Sequence, residues 1–181
     1  KTLRDTAPAA YPPSHVLGNT GNKDMPIALR GNLRKPGPIA PRRFLRLLAG
    51  PDAKVFTKGS GRLGLAEAMV APSNPLTPKV FVNRVWAWHF GRGLVRSPSN
   101  FGTLGQKPTH PDLLEWLAAD FVEHGWSIKR LHRTILLSAT YRQSSAFNKK
   151  AFATDGDNRL VWRFNPRRLD VESWRDSLLA V

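Results

Sequence analysis

Asn74–Ser145 reads NPLTPKVFVNRVWAWHFGRGLVRSPSNFGTLGQKPTHPDLLEWLAADFVEHGWSIKRLHRTILLSATYRQSS, and this stretch decides the fold. Thr77-Pro78 is a helix start: a capping hydroxyl, then a proline whose fixed φ suits the first helical position. The helix it opens runs to Phe90 and stops at Gly91, the residue type that best accepts a left-handed cap. Phe81, Val85 and His89 share one stripe; Val82, Trp86 and Phe90 share the next. Two adjacent apolar stripes predict a helix covered on more than one side. Gly91–Thr109 then shows neither helical nor strand periodicity. Its Leu94, Val95, Phe101 and Leu104 predict an Ω-type loop anchored in the core. Thr109-His110-Pro111-Asp112 opens a second helix, with Thr109 as N-cap and Asp112 as the reciprocal cap. Leu113, Leu117 and Phe121, with Leu114 and Ala118, form its buried stripe, and Gly125 ends it. Ser127 caps a third helix, expected to reach Thr140 or beyond with Leu131 and Ile135 inward.

Outward from this core the pattern loosens. Lys1–Arg30 is rich in Pro, Gly, Asn and Thr and reads as an extended arm, with Ile27-Ala28-Leu29 a candidate short strand. Arg30-Gly31-Asn32 and Lys35-Pro36-Gly37-Pro38 read as turns. Pro41 opens a short helix over Arg42–Ala49, and a second covers Arg62–Val70. Downstream, Asn148–Asn158 reads as polar and turn-like, Leu160-Val161-Trp162 as a short apolar run, and a last helix begins near Asp170 with Trp174 and Leu178 inward. The fold class expected is mainly α: an irregular multi-helix domain with long Gly/Pro-rich loops and an extended N-terminal arm. Residues 1–30 form the arm or linker, and 31–181 a helical domain incomplete at its C-terminus. Lys1 in place of Met and the apolar ending Leu178-Leu179-Ala180-Val181 both read as cut from a longer polypeptide.

Composition narrows the chemistry. The 181 residues include no cysteine, which excludes disulfides, thiolate metal sites, thiol catalysis and covalent haem attachment within the chain. No run reaches the roughly 20 apolar residues of a membrane span. The net charge is +15, and its placement is uneven: residues 1–111 hold 17 Lys/Arg against 4 Asp/Glu, residues 112–181 hold 11 against 9. Such a field attracts polyanions or acidic surfaces. Eighteen of the 28 basic residues are arginines, the type that pairs bidentately with carboxylate, sulfate or phosphate. Arg84, Arg92, Arg96 and Arg142 are the candidate anion or partner contacts.

Catalytic candidates are Asn83, Arg84, Arg92, His110, Glu172 and Asp176. Asn83-Arg84 sits mid-helix beside Trp86 and Trp88. Its structural alternative is that Arg84 stacks on tryptophan or pairs with Asp176, while Asn83 closes the hydrogen bonds of the long loop. Glu172, Arg175 and Asp176 share a helical face, where an ion-pair lattice with Arg84, Arg92 or Arg142 competes with acid–base work. His110 lies at a helix N-terminus, where Asp112 already serves as cap. The histidines offer no metal-ligand spacing: Gly125 breaks the helix between His124 and His132, and His89 alone on an apolar stripe reads as a core residue. No metal site is expected. Ser138 and Ser144 lack a nucleophile elbow. The two helices around Gly125-Trp126 loosely resemble a helix-turn-helix, but the strongest basic excess lies upstream of them.

Three motifs, NPLTPKVFVNRVWAWHFGRGLV, NFGTLGQKPTHPDLLEWLA and SIKRLHRTILLSATYRQSS, together resemble domain-of-unknown-function family 1553, the planctomycete cytochrome-associated D1 domain. Leu29-Arg30-Gly31-Asn32, Pro36-Gly37 and Pro41-Arg42-Arg43-Phe44-Leu45 agree upstream. Asp157-Asn158-Arg159-Leu160, Arg168-Leu169 and Glu172 to Arg175-Asp176 agree downstream, so the resemblance spans about Val16 to Val181. It implies an exported multidomain protein, periplasmic or at the cell surface. It also implies a cytochrome-c-like module and a second helical domain upstream, with haem c held there and no cofactor in this chain. It carries no established activity, so whether the chain is an enzyme is left open. The expected function is binding or scaffolding toward a partner: the neighbouring cytochrome-like and helical domains of the same polypeptide, an acidic protein or an anionic polysaccharide. A hydrolase with its cleft under 91–109, and nucleic-acid binding through the hairpin, are the alternatives.

Overall fold

The computed structural model describes Gly18 and residues 21–180. Most of the expected arm, with His15, lies outside the described residues. The chain divides into two compact units, Lys1–Met69 and Val70–Val181. Among the described residues the secondary structure is mainly α, with one two-stranded sheet.

In the first unit β1 (Met25–Ala28) pairs antiparallel with β2 (Pro36–Ala40), Met25 opposite Ala40 and Ala28 opposite Pro36, with an irregularity between Pro26 and Ala28. A single 3-10 turn, Leu29–Gly31, joins them, and Arg30 sits in it at φ 52°. The expected turn at Lys35–Pro38 is instead the start of β2. A two-stranded sheet is all edge, so prolines lacking an N–H are tolerated there. Gly37 is needed because a Cβ would stand 2.9 Å from Leu29 Cδ2 and 3.1 Å from the Ile27 carbonyl. α1 covers only Arg46–Ala49, not Arg42–Ala49. Arg42 is drawn away from helix: its Nε donates to Asp24 Oδ1 at 2.7 Å, its Nη1 donates to the Gly59 carbonyl, and its own carbonyl accepts from the Phe56 N–H. α2 (Arg62–Val70) matches its expected span and buries none of its residues.

The second unit is organised around α3 (Leu76–Phe90), against which α4 (Pro111–Glu123) packs along its length and α5 (Ile128–Leu136) more briefly. Val82, Val85, Trp86 and Phe90 join Leu94, Val95, Leu114, Leu117, Phe121, Leu131 and Ile135 in one core. The two-stripe reading of α3 therefore holds, with Phe81 stacked on Phe121 at 5.0 Å and Trp86 on Phe90 at 4.1 Å. The helix starts one residue earlier than Thr77. Pro75 is the N-cap and makes no side-chain cap; Asn74 before it accepts from the Leu76 N–H and donates to Thr77 Oγ1, so the threonine hydroxyl is itself an acceptor. Gly91 ends α3 in the left-handed region at φ 81°.

Further corrections follow from contacts, or missing covers, that the local pattern does not show. Thr109 is not the N-cap of α4. His110 holds that position without a side-chain cap, and the Thr109 hydroxyl is turned to the Leu94 carbonyl and His110 Nδ1 instead. α5 stops at Leu136 rather than Thr140, where the Ser138 hydroxyl folds back on the Ile135 carbonyl and accepts from Tyr141. Asn148–Asn158 contains a helix, α6 (Lys149–Thr154), because Asn148 Oδ1 accepts from both Lys150 and Ala151. α7 (Val171–Leu179) begins beside Asp170 as expected, with the Asp170 side chain as its cap, but Trp174 and Leu178 are exposed, as is all of that helix. Its periodicity marked an apolar face without identifying a cover for it.

Candidate anion-binding cleft

The loop 91–109 is held at three levels. Leu94 and Val95 are fully buried and Phe101 packs on the core, whereas Leu104, an expected anchor, is 92% exposed. The buried Asn83 amide reads the Val95 backbone from both sides: Asn83 Nδ2 donates to the Val95 carbonyl at 3.0 Å, and the Val95 N–H donates to Asn83 Oδ1 at 2.8 Å. Gly93 makes room for this clasp, since a Cβ there would come within 2.7 Å of both amide atoms and of the Val95 carbonyl oxygen. At the tip the Ser97 hydroxyl donates to Asn100 and accepts from the Gln106 N–H. Gly105 has no room for a side chain against the Asn100 carbonyl.

Opposite the loop runs the segment 155–167, fixed by two side chains. The Asp155 carboxylate accepts from the Arg159 and Leu160 N–H groups. Burial alone would raise its pKa, but these N–H groups and the Arg96 charge hold it below the usual carboxylate range. Asn158, buried at φ 51°, donates to the Arg163 carbonyl at 2.8 Å and to Asn165 Oδ1 at 2.9 Å. Val161 takes φ 54°, a rare state for a β-branched residue, with its carbonyl accepting from Gln143 Nε2. Such strain persists only where surrounding contacts determine it, and it is common beside functional sites.

Between this segment and the end of α3 lies a cleft of about 370 Å³, within the roughly 300–1,000 Å³ of small-ligand sites. Phe90 lies at its base, backed by Tyr141 and Phe164. Arg92, Arg163 and Arg167 line it with Asn158, Asn165 and Asp157. Asp157 belongs to Arg96, whose Nη1 reaches its Oδ2 at 3.3 Å and whose Nη2 reaches its carbonyl. Among the described residues, Arg92, Arg163 and Arg167 have no carboxylate partner.

The expected site residues distribute unevenly. Arg92 lines the cleft and Arg96 stands at its edge; Arg84 and Arg142 are exposed and line neither. Asn83 lies behind the cleft in its structural clasp. His110 bonds Thr109 Oγ1 through Nδ1 at 3.0 Å. Glu172 and Asp176 lie on exposed α7, where Asp176 pairs with Arg175 of the same helix. Arg84 has neither an ion pair nor an aromatic stack among the described residues. His132 meets His89, not His124: Nε2 of His89 lies 2.7 Å from Nδ1 of His132, with the Tyr141 ring edge-on. Burial, then the His132 and Arg167 charges, lower the His89 pKa. No group of three or more His, Cys, Asp or Glu able to hold a metal occurs among the described residues.

The sequence reading missed Arg163, Arg167 and Asn165. Their signal was Trp162-Arg163-Phe164-Asn165-Pro166-Arg167-Arg168, arginines interleaved with aromatics and placed just after the turn-forming Asn158.

A model of the family described as protein of unknown function (DUF1553) matches residues 61–181. The chain belongs to this family. The DUF1553 match takes in all of α3, the 91–109 loop and every residue of the cleft, and begins downstream of the motifs at 29–45. No curated protein and no solved structure matches the chain. No helix among the described residues is long and apolar enough to cross a membrane.

Proposed function

We propose that the 70–181 unit is a binding domain that positions an anionic partner, an anionic polysaccharide before an acidic protein, in an exported multidomain protein. The observation that supports it is the arginine wall of the cleft. Three arginines line one solvent-accessible space and, among the described residues, none of them is paired with a carboxylate, a concentration of positive charge that favours an anion. The basic excess before residue 112 would extend the attraction to a longer polyanion. Neither the hydrolase reading nor the helix-turn-helix reading gains an observation of its own: the acid–base candidates stand apart, and Arg130 of α5 is tied to Asp120 at 3.1 Å.

Binding of sulfated and uronic polysaccharides, measured across salt concentration, tests this reading. Affinity should fall as salt rises; absent or salt-insensitive binding refutes it. The cytochrome-associated, planctomycete-type setting belongs to the same proposal. A chain without cysteine cannot attach haem c, so any electron-transfer role needs a separate module, and a helical domain extending over 31–181 would then be one part of a longer polypeptide. A full-length sequence lacking both a secretion signal and a C-x-x-C-H motif would refute that setting.

A further inference from the structure

We infer that the cleft is a seat for one tetrahedral oxyanion, a sulfate or phosphate group, held by the terminal Nη groups of Arg163 together with Arg92 and Arg167. The inference rests on the binding-domain reading and assigns it a site and a ligand chemistry.

Arg163 carries the argument. Its Nε–H is buried and has no hydrogen-bond acceptor among the described residues. An unpaired buried donor on a charged group is unfavourable and rare in folded proteins. The guanidinium carbon lies 4.8 Å from the Trp162 ring centroid and 5.8 Å from that of Phe147, so aromatic stacking holds the group by its face. With Nε closed to solvent, what stacking leaves for a ligand is the terminal edge, whose two Nη groups match two oxygens of an oxyanion. The backbone behind it is clamped, since Arg163 donates to Asn158 Oδ1 through its N–H and accepts from Asn158 Nδ2 through its carbonyl.

The rest of the cleft is donor-rich. Asn165 Oδ1 is already taken by Asn158, which leaves the Asn165 amide to present its NH₂ end. Arg167 crosses over Gly91, where a Cβ would stand 3.0 Å from Arg167 Cδ, so the glycine lets that arginine lie across the end of α3. Asp157 is the one carboxylate on the wall, and Arg96 neutralises it. The remaining excess of positive charge favours a dianion over a carboxylate. The volume leaves room beyond the ion itself, so the group is either free or pendant on a saccharide.

The test is titration of the whole chain with inorganic sulfate, inorganic phosphate, a sulfated disaccharide and acetate. It is followed by calorimetry and by the arginine Nε–Hε resonances, for the parent, Arg163→Lys and Arg163→Gln. Sulfate and phosphate should bind and shift the Arg163 Nε–Hε signal. Arg163→Lys, which keeps the charge but loses the fork, should weaken binding by about tenfold or more. Binding by the sulfated disaccharide alone identifies a pendant group as the source, and equal binding by the inorganic ions identifies the oxyanion itself. Acetate binding as tightly as sulfate overturns the tetrahedral preference. Sulfated polysaccharide bound equally by the parent and Arg163→Lys leaves the binding-domain reading standing and overturns the seat. No binding by any probe overturns both. Circular dichroism checks that the variants fold; if they do not, the parent's Arg163 Nε–Hε shift decides, and an unmoved signal at saturation overturns the seat.

Discussion

Replacing Asn83 by alanine removes the clasp that ties the 91–109 loop to α3, and its cost can be worked from two bonds. The Val95 N–H and carbonyl, on a residue 2% exposed, both lose their side-chain partner. A buried polar group left unsatisfied costs about 1–3 kcal/mol. Two such groups and a small cavity put the loss at about 3–5 kcal/mol, a large share of the roughly 5–15 kcal/mol that holds a domain together. Urea unfolding followed by far-UV circular dichroism should show a lower midpoint with an unchanged slope. Asn83→Asp sharpens the test. One carboxylate oxygen can still accept from the Val95 N–H, but the other faces the Val95 carbonyl where an amide donor stood. Protonation restores a donor, so the folded pKa of this carboxyl rises above its unfolded value of about 3.9. The variant's deficit relative to the parent should therefore shrink as pH falls through that raised pKa. A loss below about 1 kcal/mol for Asn83→Ala, against the 1–3 expected for each orphaned group, or a pH-independent deficit for Asn83→Asp, would refute the clasp.

Gly93→Ala places a methyl within 2.7 Å of the same amide and should destabilise comparably; combined with Asn83→Ala the two losses should fall short of additive, as a double-mutant cycle would show. The His89 pKa is depressed in the fold, so its contribution to stability is present above the unfolded value near 6.5 and lost as pH falls below it. Thermal melts from pH 7.5 to 5.5 should show that slope, and His132→Gln, which removes a charge facing His89, should flatten it. Trp174→Ala on exposed α7 should change stability by no more than about 0.5 kcal/mol in the same unfolding assay.

Local signals in the sequence were read well where one residue acts on its neighbours. Gly91 ends α3, Ser127 caps α5, α7 begins beside Asp170, and the α3 and α4 stripes are buried because periodicity reports directly on which face is apolar. Reading failed where a side chain had a distant competitor. Thr109 had the chemistry of an N-cap but is drawn to Leu94, fifteen residues back. Arg42 had a place in a helix but is held by Asp24. The cleft was half legible: Arg92 and Arg96 stand in the glycine-flanked loop where function was expected, while Arg163 and Arg167 are brought to it by the Asn158 turn, a contact between segments some seventy residues apart. The pairing of His89 with His132 across 43 residues was invisible for the same reason.

The most direct test of the central claim is to locate a bound anion. A crystal structure of the chain with a sulfated disaccharide should show the sulfate within hydrogen-bonding distance of the Arg163 Nη groups, in the cleft that Arg92 and Arg167 also line. A cleft left empty at saturating ligand, or a sulfate seated instead on Arg84 or Arg142, would contradict the account.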